Sequence, residues 1–159
     1  MQSTIPCLVF KEGGEEAVKF YVSVVPNSRI YDLIRGDGKG PIPEGQLLHA
    51  RFELDGRSYD AFDGGESFQF SEGFSLRVSC DTQEEIDDLW ERLTAGGGEP
   101  GPCGWLKDRW GLSWQIIPAA LGEMLSNPAG GNSEKATQAM LKMGKLDIAE
   151  LRRAYGSAA

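Results

Sequence analysis

Hydrophobic positions along this chain switch between strand-like runs and helix-like stripes, and the switch occurs twice in the same order. "CLVF" at 7–10 is a short apolar run that predicts a buried strand. Gly13-Gly14 ends it. "EEAVKFYVSVV" then sets Ala17, Phe20, Tyr21 and Val24 at helical spacing, with Glu15 and Glu16 in the first turn, where the helix dipole favours carboxylates. Pro26 stops that helix. "RIYDLIR" and "LLHARFEL" read as strands, separated by a Gly/Pro-rich loop at 36–46. In the second of them His49, Arg51 and Glu53 lie opposite Leu48, Ala50, Phe52 and Leu54. Asp55-Gly56 is a tight-turn signal leading into "RSYDAF".

The segment 63–72 reads as a loop, and "FSLRVSC" after it as an alternating strand. Asp81 is the expected cap of a second helix, with Glu84 completing an acidic capping box. Ile86, Leu89, Trp90 and Leu93 share one face of that helix, and three glycines at 96–98 end it. "WLKDRWGLSW" predicts strand, turn, strand. Asp108 and Gly111 supply the turn chemistry, Lys107 and Arg109 reach water, and Trp105 and Trp114 pack. The remainder is helical. "AALGEML" is short, Ala136, Ala139, Met140 and Met143 form an apolar stripe, and Asp147 with Glu150 opens a last helix carrying Ile148, Leu151 and Tyr155. This tail bears five cations against three anions over 134–153, which suggests docking, either on the body of the chain or on a partner subunit.

Two echoes run through the pattern. "EEAVKFY" at 15–21 matches "EEIDDLW" at 84–90, and "DGRSYDAF" at 55–62 matches "WGLSWQII" at 110–117. The offsets are 69 and 55 residues, so the second copy is shorter, and loop 36–46 is the obvious extra in the first. Each copy reads strand–helix–strand–strand–strand. One helix cannot cover both faces of a four-stranded sheet. The expected fold class is therefore α+β: two βαβββ modules whose curved mixed sheets surround a cleft, followed by a C-terminal helical tail. The expected organisation is 5–63 and 73–118 as the paired modules of one domain over 5–118, with 119–155 as the helical extension.

Composition narrows the partners. A net charge of −8 argues against a nucleic-acid phosphate backbone. No window approaches the ~18 apolar residues of a membrane span, and "MQSTIPCLVF" lacks the basic and apolar regions of a secretion signal. The three cysteines, Cys7, Cys80 and Cys103, cannot all pair within the chain and match no zinc spacing. The expected location is the cytoplasm, with free thiols. Cys7 is expected in the core. Cys80 precedes a helix, where a thiol is either activated by the N-terminus or simply buried; burial is the favoured reading. Cys103 sits at a Gly-rich turn with room to be exposed. His49 is the only histidine, and it is a candidate acid or base near neutral pH or a solvated strand position.

"EEAVKFYVSVVPNSRI", "CDTQEEIDDLWERL", "CGWLKDRWGLSWQIIP" and "ATQAMLKMGKLDIAELRRAY" together resemble the PhnB-like group, often labelled 3-demethylubiquinone-9 3-methyltransferase. That group sits within the vicinal oxygen chelate superfamily of glyoxalase I, extradiol dioxygenases and bleomycin- or fosfomycin-resistance proteins. The resemblance spans roughly residues 5 to 155. It implies paired βαβββ units, a homodimer and a cleft for a small organic molecule. In the superfamily a metal sits on four positions filled by His, Glu or Gln. With the helices in register, those positions fall here on Pro6, Asp60, Ser75 and Gln115. Proline offers no side-chain donor and serine is a poor ligand, so no metal and no other cofactor is expected. Asp60, Ser75 and Gln115 are instead the expected ligand-binding residues, with Asp60 and His49 as candidate catalytic groups. Metal-dependent lyase, isomerase or dioxygenase chemistry is the alternative, and methyl transfer a weaker one. "GDGKG" at 36–40 has the GxGxG form, but Pro41 and Pro43 follow it, so no helix opens there to face a nucleotide.

Overall fold

A computed structural model describes residues 4–157. By contacts the chain separates into two units, one running to Phe70 and the other beginning at Ser71. The first contains β1 (Cys7–Phe10), α1 (Gly14–Val24), β2 (Arg29–Arg35), β3 (Leu47–Leu54) and β4 (Arg57–Asp63). The second contains β5 (Ser75–Cys80), α2 (Gln83–Thr94), β6 (Glu99–Pro100), β7 (Trp105–Lys107), β8 (Ser113–Pro118), α3 (Ala119–Ser126), α4 (Ser133–Leu141) and α5 (Ile148–Gly156). The two sheets share one topology, β1-β4-β3-β2 and β5-β8-β7-β6, each with a parallel first pair and antiparallel pairs beyond it. The fold class is thus α+β with duplicated βαβββ units. Among the described residues no helix is long and apolar enough to cross a membrane.

In the first unit α1 buries Ala17, Val18, Tyr21 and Val24 among Leu8, Phe10, Ala50, Phe52 and Ala61 of the sheet. Its N-terminus has no cap from its own sequence. Asp63, at the far end of β4, serves instead: its carboxylate accepts the N–H of Gly14 at 2.8 Å and of Leu47 at 2.9 Å. A side chain at Gly14 would meet that carboxylate at 2.7 Å, so the glycine makes room for it. Glu15 joins the helix to β2 through a two-pronged contact with Arg35, each arm 2.6 Å, and to Lys19 at 2.6 Å. These cations hold its carboxyl down to about 2.

Two local expectations fail in this unit. Leu48 is exposed, because β3 bulges there: Ile34 faces His49 while Arg35 faces Leu47, which leaves Leu48 as the unpaired extra residue. Leu47 takes the buried place. Cys7 is exposed rather than in the core, since Leu8 and Phe10 occupy the inward positions of β1.

In the second unit α2 buries Ile86, Leu89 and Leu93 against the sheet, while Trp90 is half-buried. Its cap is Thr82, one residue beyond the expected Asp81. Glu85 N–H donates to Thr82 Oγ1 at 3.2 Å, and Glu85 Oε2 accepts from the N–H groups of both Asp81 and Thr82. Threonine with glutamate three residues on completes the box in both directions, whereas an Asp81 cap would leave the Thr82 hydroxyl idle.

Asp108 is buried at the β7–β8 turn. Its carboxylate accepts from the N–H groups of Trp110 (2.9 Å) and Leu112 (3.1 Å) and from the indole N–H of Trp114 (2.8 Å). The helical tail packs on this same unit. Ile117, Leu121, Met124, Ala136, Leu146 and Leu151 form one cluster, and the Gln83 side chain bridges Leu146 O and Ile148 N–H. Lys145 pairs with Asp87 at 2.6 Å, and Cys103 and Gly104 donate to the carbonyls of Met143 and Gly144. Asp147 caps α5 by accepting the Glu150 N–H.

Candidate functional site

Each unit carries a polar sheet face opposite its helix, and each of these faces holds some of the residues singled out from sequence. In the first unit one row crosses the sheet as Cys7, Asp60, Arg51, Asp32, one residue per strand in order β1-β4-β3-β2. Arg51 grips Asp60, with Nε 3.0 Å from Oδ1 and one Nη 3.4 Å from Oδ2. His49 Nε2 stands 3.8 Å from Asp60 Oδ1, too far for a hydrogen bond but close enough for a charge pair when the imidazole is protonated. Partial desolvation, and then the Asp60 charge, push the Cys7 thiol up. Asp60 is therefore half of an ion pair with Arg51. Pro6 lies just before β1; its carbonyl accepts the Asp60 N–H at 3.0 Å, and the residue beside Asp60 on the ladder is Cys7.

In the second unit, Ser75 and Gln115 come together directly: Gln115 Nε2 donates to Ser75 Oγ at 2.8 Å. Two rows lie side by side on this face. One runs Ser75, Ser113, Lys107, Glu99 and the other Arg77, Gln115, Trp105. Beside them opens a cavity of about 440 Å³, lined by Trp105, Lys107, Ser113, Glu72, Glu99 and the loop 100–102, with Leu106. That volume suits a small organic molecule. Lys107 Nζ meets Glu72 Oε1 at 2.5 Å, which raises the ammonium pKa and lowers that of the carboxyl. Ser113 is only 1% exposed.

Sequence reasoning missed this cavity. It took Trp105 for packing, but the indole is half-buried and forms part of the wall. Trp114 does pack, at 1% exposure. The missed signal was alternation: Ser113 lies two residues before Gln115 and so shares its face. Glu72 and Glu99 gave no signal, because only the short β6 strand and the loop before β5 bring them there.

The residues do not fit a divalent cation. Pro6 has no donor, Ser75 and Gln115 satisfy one another, and Asp60 is held by Arg51. Among the described residues no three of His, Cys, Asp and Glu gather into a metal cage. Cys80 is buried, and burial, with help from Glu85 and Asp81, pushes its thiol up to about 11, so the helix N-terminus does not activate it. Loop 36–46 closes on itself, with Gly36 N–H on Gln46 O and Gly45 N–H on Gly36 O, and leads into a strand.

Comparison with known proteins places these features. A family model described as 3-demethylubiquinone-9 3-methyltransferase matches residues 2–117. A putative 3-demethylubiquinone-9 3-methyltransferase, PhnB protein, from Bacillus cereus is 35% identical, with a TM-score of 0.67 over 74% of this chain and 100% of that one. A Pseudomonas aeruginosa protein matches at 20% identity and a TM-score of 0.59, covering 74% and 98%. The fosfomycin resistance protein FosX from Listeria monocytogenes shares the fold at 17% identity and a TM-score of 0.56, covering 78% and 96%. A variant of FosX is known in complex with Mn(II) and 1S,2S-dihydroxypropylphosphonic acid. None of the curated proteins matches the chain.

Proposed function

The chain belongs to the PhnB-like family described as 3-demethylubiquinone-9 3-methyltransferase, within the vicinal oxygen chelate superfamily, and on that footing we propose that it binds a small organic molecule without a metal. The observation that carries this reading is the cavity of the second unit. It combines an apolar wall with the Ser113 side chain, beside the Ser75–Gln115 pair. Polar groups placed sparingly on an apolar wall are what a specific small-molecule site requires. Asp60 and His49 on the first unit's face are the groups available for proton transfer, and Arg51 sets the charge balance there. The working assembly is a homodimer, as the family resemblance implies.

A thermal-shift panel of metabolites on the full chain tests the proposal. At least one compound should give saturable stabilisation that Trp105→Ala and Ser113→Ala both weaken. A panel that stabilises nothing overturns the reading. S-adenosylmethionine belongs in the panel because of the family's description; saturable stabilisation by it would favour methyl transfer. Elemental analysis of untagged protein provides the second arm. Stoichiometric zinc, iron or manganese, lost in Asp60→Ala, would replace this proposal with metal-dependent chemistry. Light scattering should give two chains per particle.

A further inference from the structure

The charges around the cavity of the second unit are unbalanced, and this imbalance selects a class of ligand. Three ionisable side chains line it: Glu72, Glu99 and Lys107. Lys107 is already committed to Glu72 at 2.5 Å, and Glu99 is its ladder neighbour across β6 and β7. Two carboxylates against one ammonium leave a net negative charge beside a low-dielectric wall. The wall is Trp105, Pro100, Pro102 and Leu106, with Gly101 between the prolines. A side chain at Gly101 would meet Trp105 O at 2.8 Å, so the loop lies tight against the strand.

Ser113, 1% exposed, also lines this wall. An anion that reached Lys107 would lie beside two like charges, Glu72 and Glu99. An ammonium meets the opposite situation. It gains Glu99, adds to the Glu72–Lys107 pair without breaking it, and lies near the face of an indole, where a cation is attracted to the ring.

We propose that the cavity takes a small primary or secondary amine with a flat apolar body. The body lies along Trp105 and the two prolines, the ammonium faces Glu99 at the rim, and a polar atom of the ligand reaches Ser113. This rests on the preceding reading that the cavity binds a small organic molecule, and it adds the sign of the charge.

The test compares two probes of equal size and opposite charge, phenethylamine and 3-phenylpropionate, by isothermal titration calorimetry on the full chain at low salt. Phenethylamine should bind saturably and 3-phenylpropionate should not. Glu99→Gln should weaken the amine at least about tenfold, the loss of one charge-assisted contact, and added salt should weaken it further. Trp105→Leu should weaken it comparably. Unliganded melting temperatures of the variants report whether each still folds. Glu72→Gln, which frees Lys107, provides a second variant: it should weaken the amine and admit the carboxylate. Binding of 3-phenylpropionate in preference to phenethylamine, abolished by Trp105→Leu, would overturn the charge assignment and leave the cavity reading intact. Amine binding that Glu99→Gln and Trp105→Leu leave unchanged would overturn the assignment of the site. Failure of both probes, with a saturable hit elsewhere in the metabolite panel, would also sink the amine class alone.

Discussion

Asp108 offers the sharpest test of how this fold holds its cavity wall. The residue is 3% exposed and orders the turn between β7, which carries Trp105 and Lys107, and β8, which carries Ser113 and Gln115. One carboxylate oxygen accepts from Trp110 and Leu112 N–H, the other from the Trp114 indole. Asp108→Ala strands all three donors. Trp110 is half-buried and recovers a water, so its loss is small. Leu112 and Trp114 are 0% and 1% exposed, and each unsatisfied donor there costs about 1–3 kcal/mol. The expected destabilisation is about 3–4 kcal/mol. Asp108→Asn keeps one acceptor oxygen for the two backbone groups but turns an amide toward the indole, so about 1–2 kcal/mol is expected. Urea denaturation followed by tryptophan fluorescence measures both, and a cycle with Trp114→Phe isolates the indole bond at about 1–2 kcal/mol. Equal losses for Asn and Ala, or a coupling near zero, would refute the assignment of the second oxygen to Trp114.

Three further outcomes follow from the same geometry. Arg35 and Lys19 hold the Glu15 carboxyl at about 2 against an ordinary 4.5, so its contribution is complete above pH 4.5 and is lost as pH falls toward 2. Glu15→Gln should cost about 1 kcal/mol at pH 7 and clearly less at pH 2; a gap that stays undiminished in acid would contradict the pairing. Thiol labelling in the native state should modify exposed Cys7 first and half-buried Cys103 more slowly, while Cys80, pushed up to about 11, reacts only on unfolding; early modification of Cys80 would reverse its placement. Gly104 has φ +83° and no room for a side chain, since a Cβ would meet Ile116 O at 2.8 Å and Leu146 Cδ1 at 3.1 Å. Gly104→Ala should therefore lower the melting temperature by several degrees, for a loss of about 2 kcal/mol or more, and loosen the tail, read as faster proteolysis after residue 119; an unchanged melting temperature would contradict the close approach.

Much of this molecule was legible without coordinates, because periodicity and turn chemistry are local. α1 and α2 show their buried stripes in the order of their residues, Asp55-Gly56 announces the β3–β4 hairpin with both φ values positive, and the paired echoes foretell two sheets of identical order. Errors of one position arose where local rules were nearly degenerate. Asp81/Glu84 and Thr82/Glu85 both satisfy a capping pattern, and only the helix's placement chose between them. "CLVF" and "LLHA" have apolar residues at every candidate inward site, so alternation could not tell that Cys7 and Leu48 face out.

The site was legible only in fragments. Ser75 and Gln115 lie 40 residues apart, yet the family resemblance, with the helices set in register, singles them out, and they do meet. Asp63 reads as the start of a loop and Asp108 as a turn residue, and tertiary structure alone buries them against waiting N–H groups. The cavity depends on cross-strand register, which sets Glu99, Lys107, Ser113 and Ser75 in one row from four strands. Sequence by itself therefore determined the elements and their duplication, since those follow from neighbours along the chain. Which charges are buried and where space remains follow from neighbours across the sheet, and folding alone decides those.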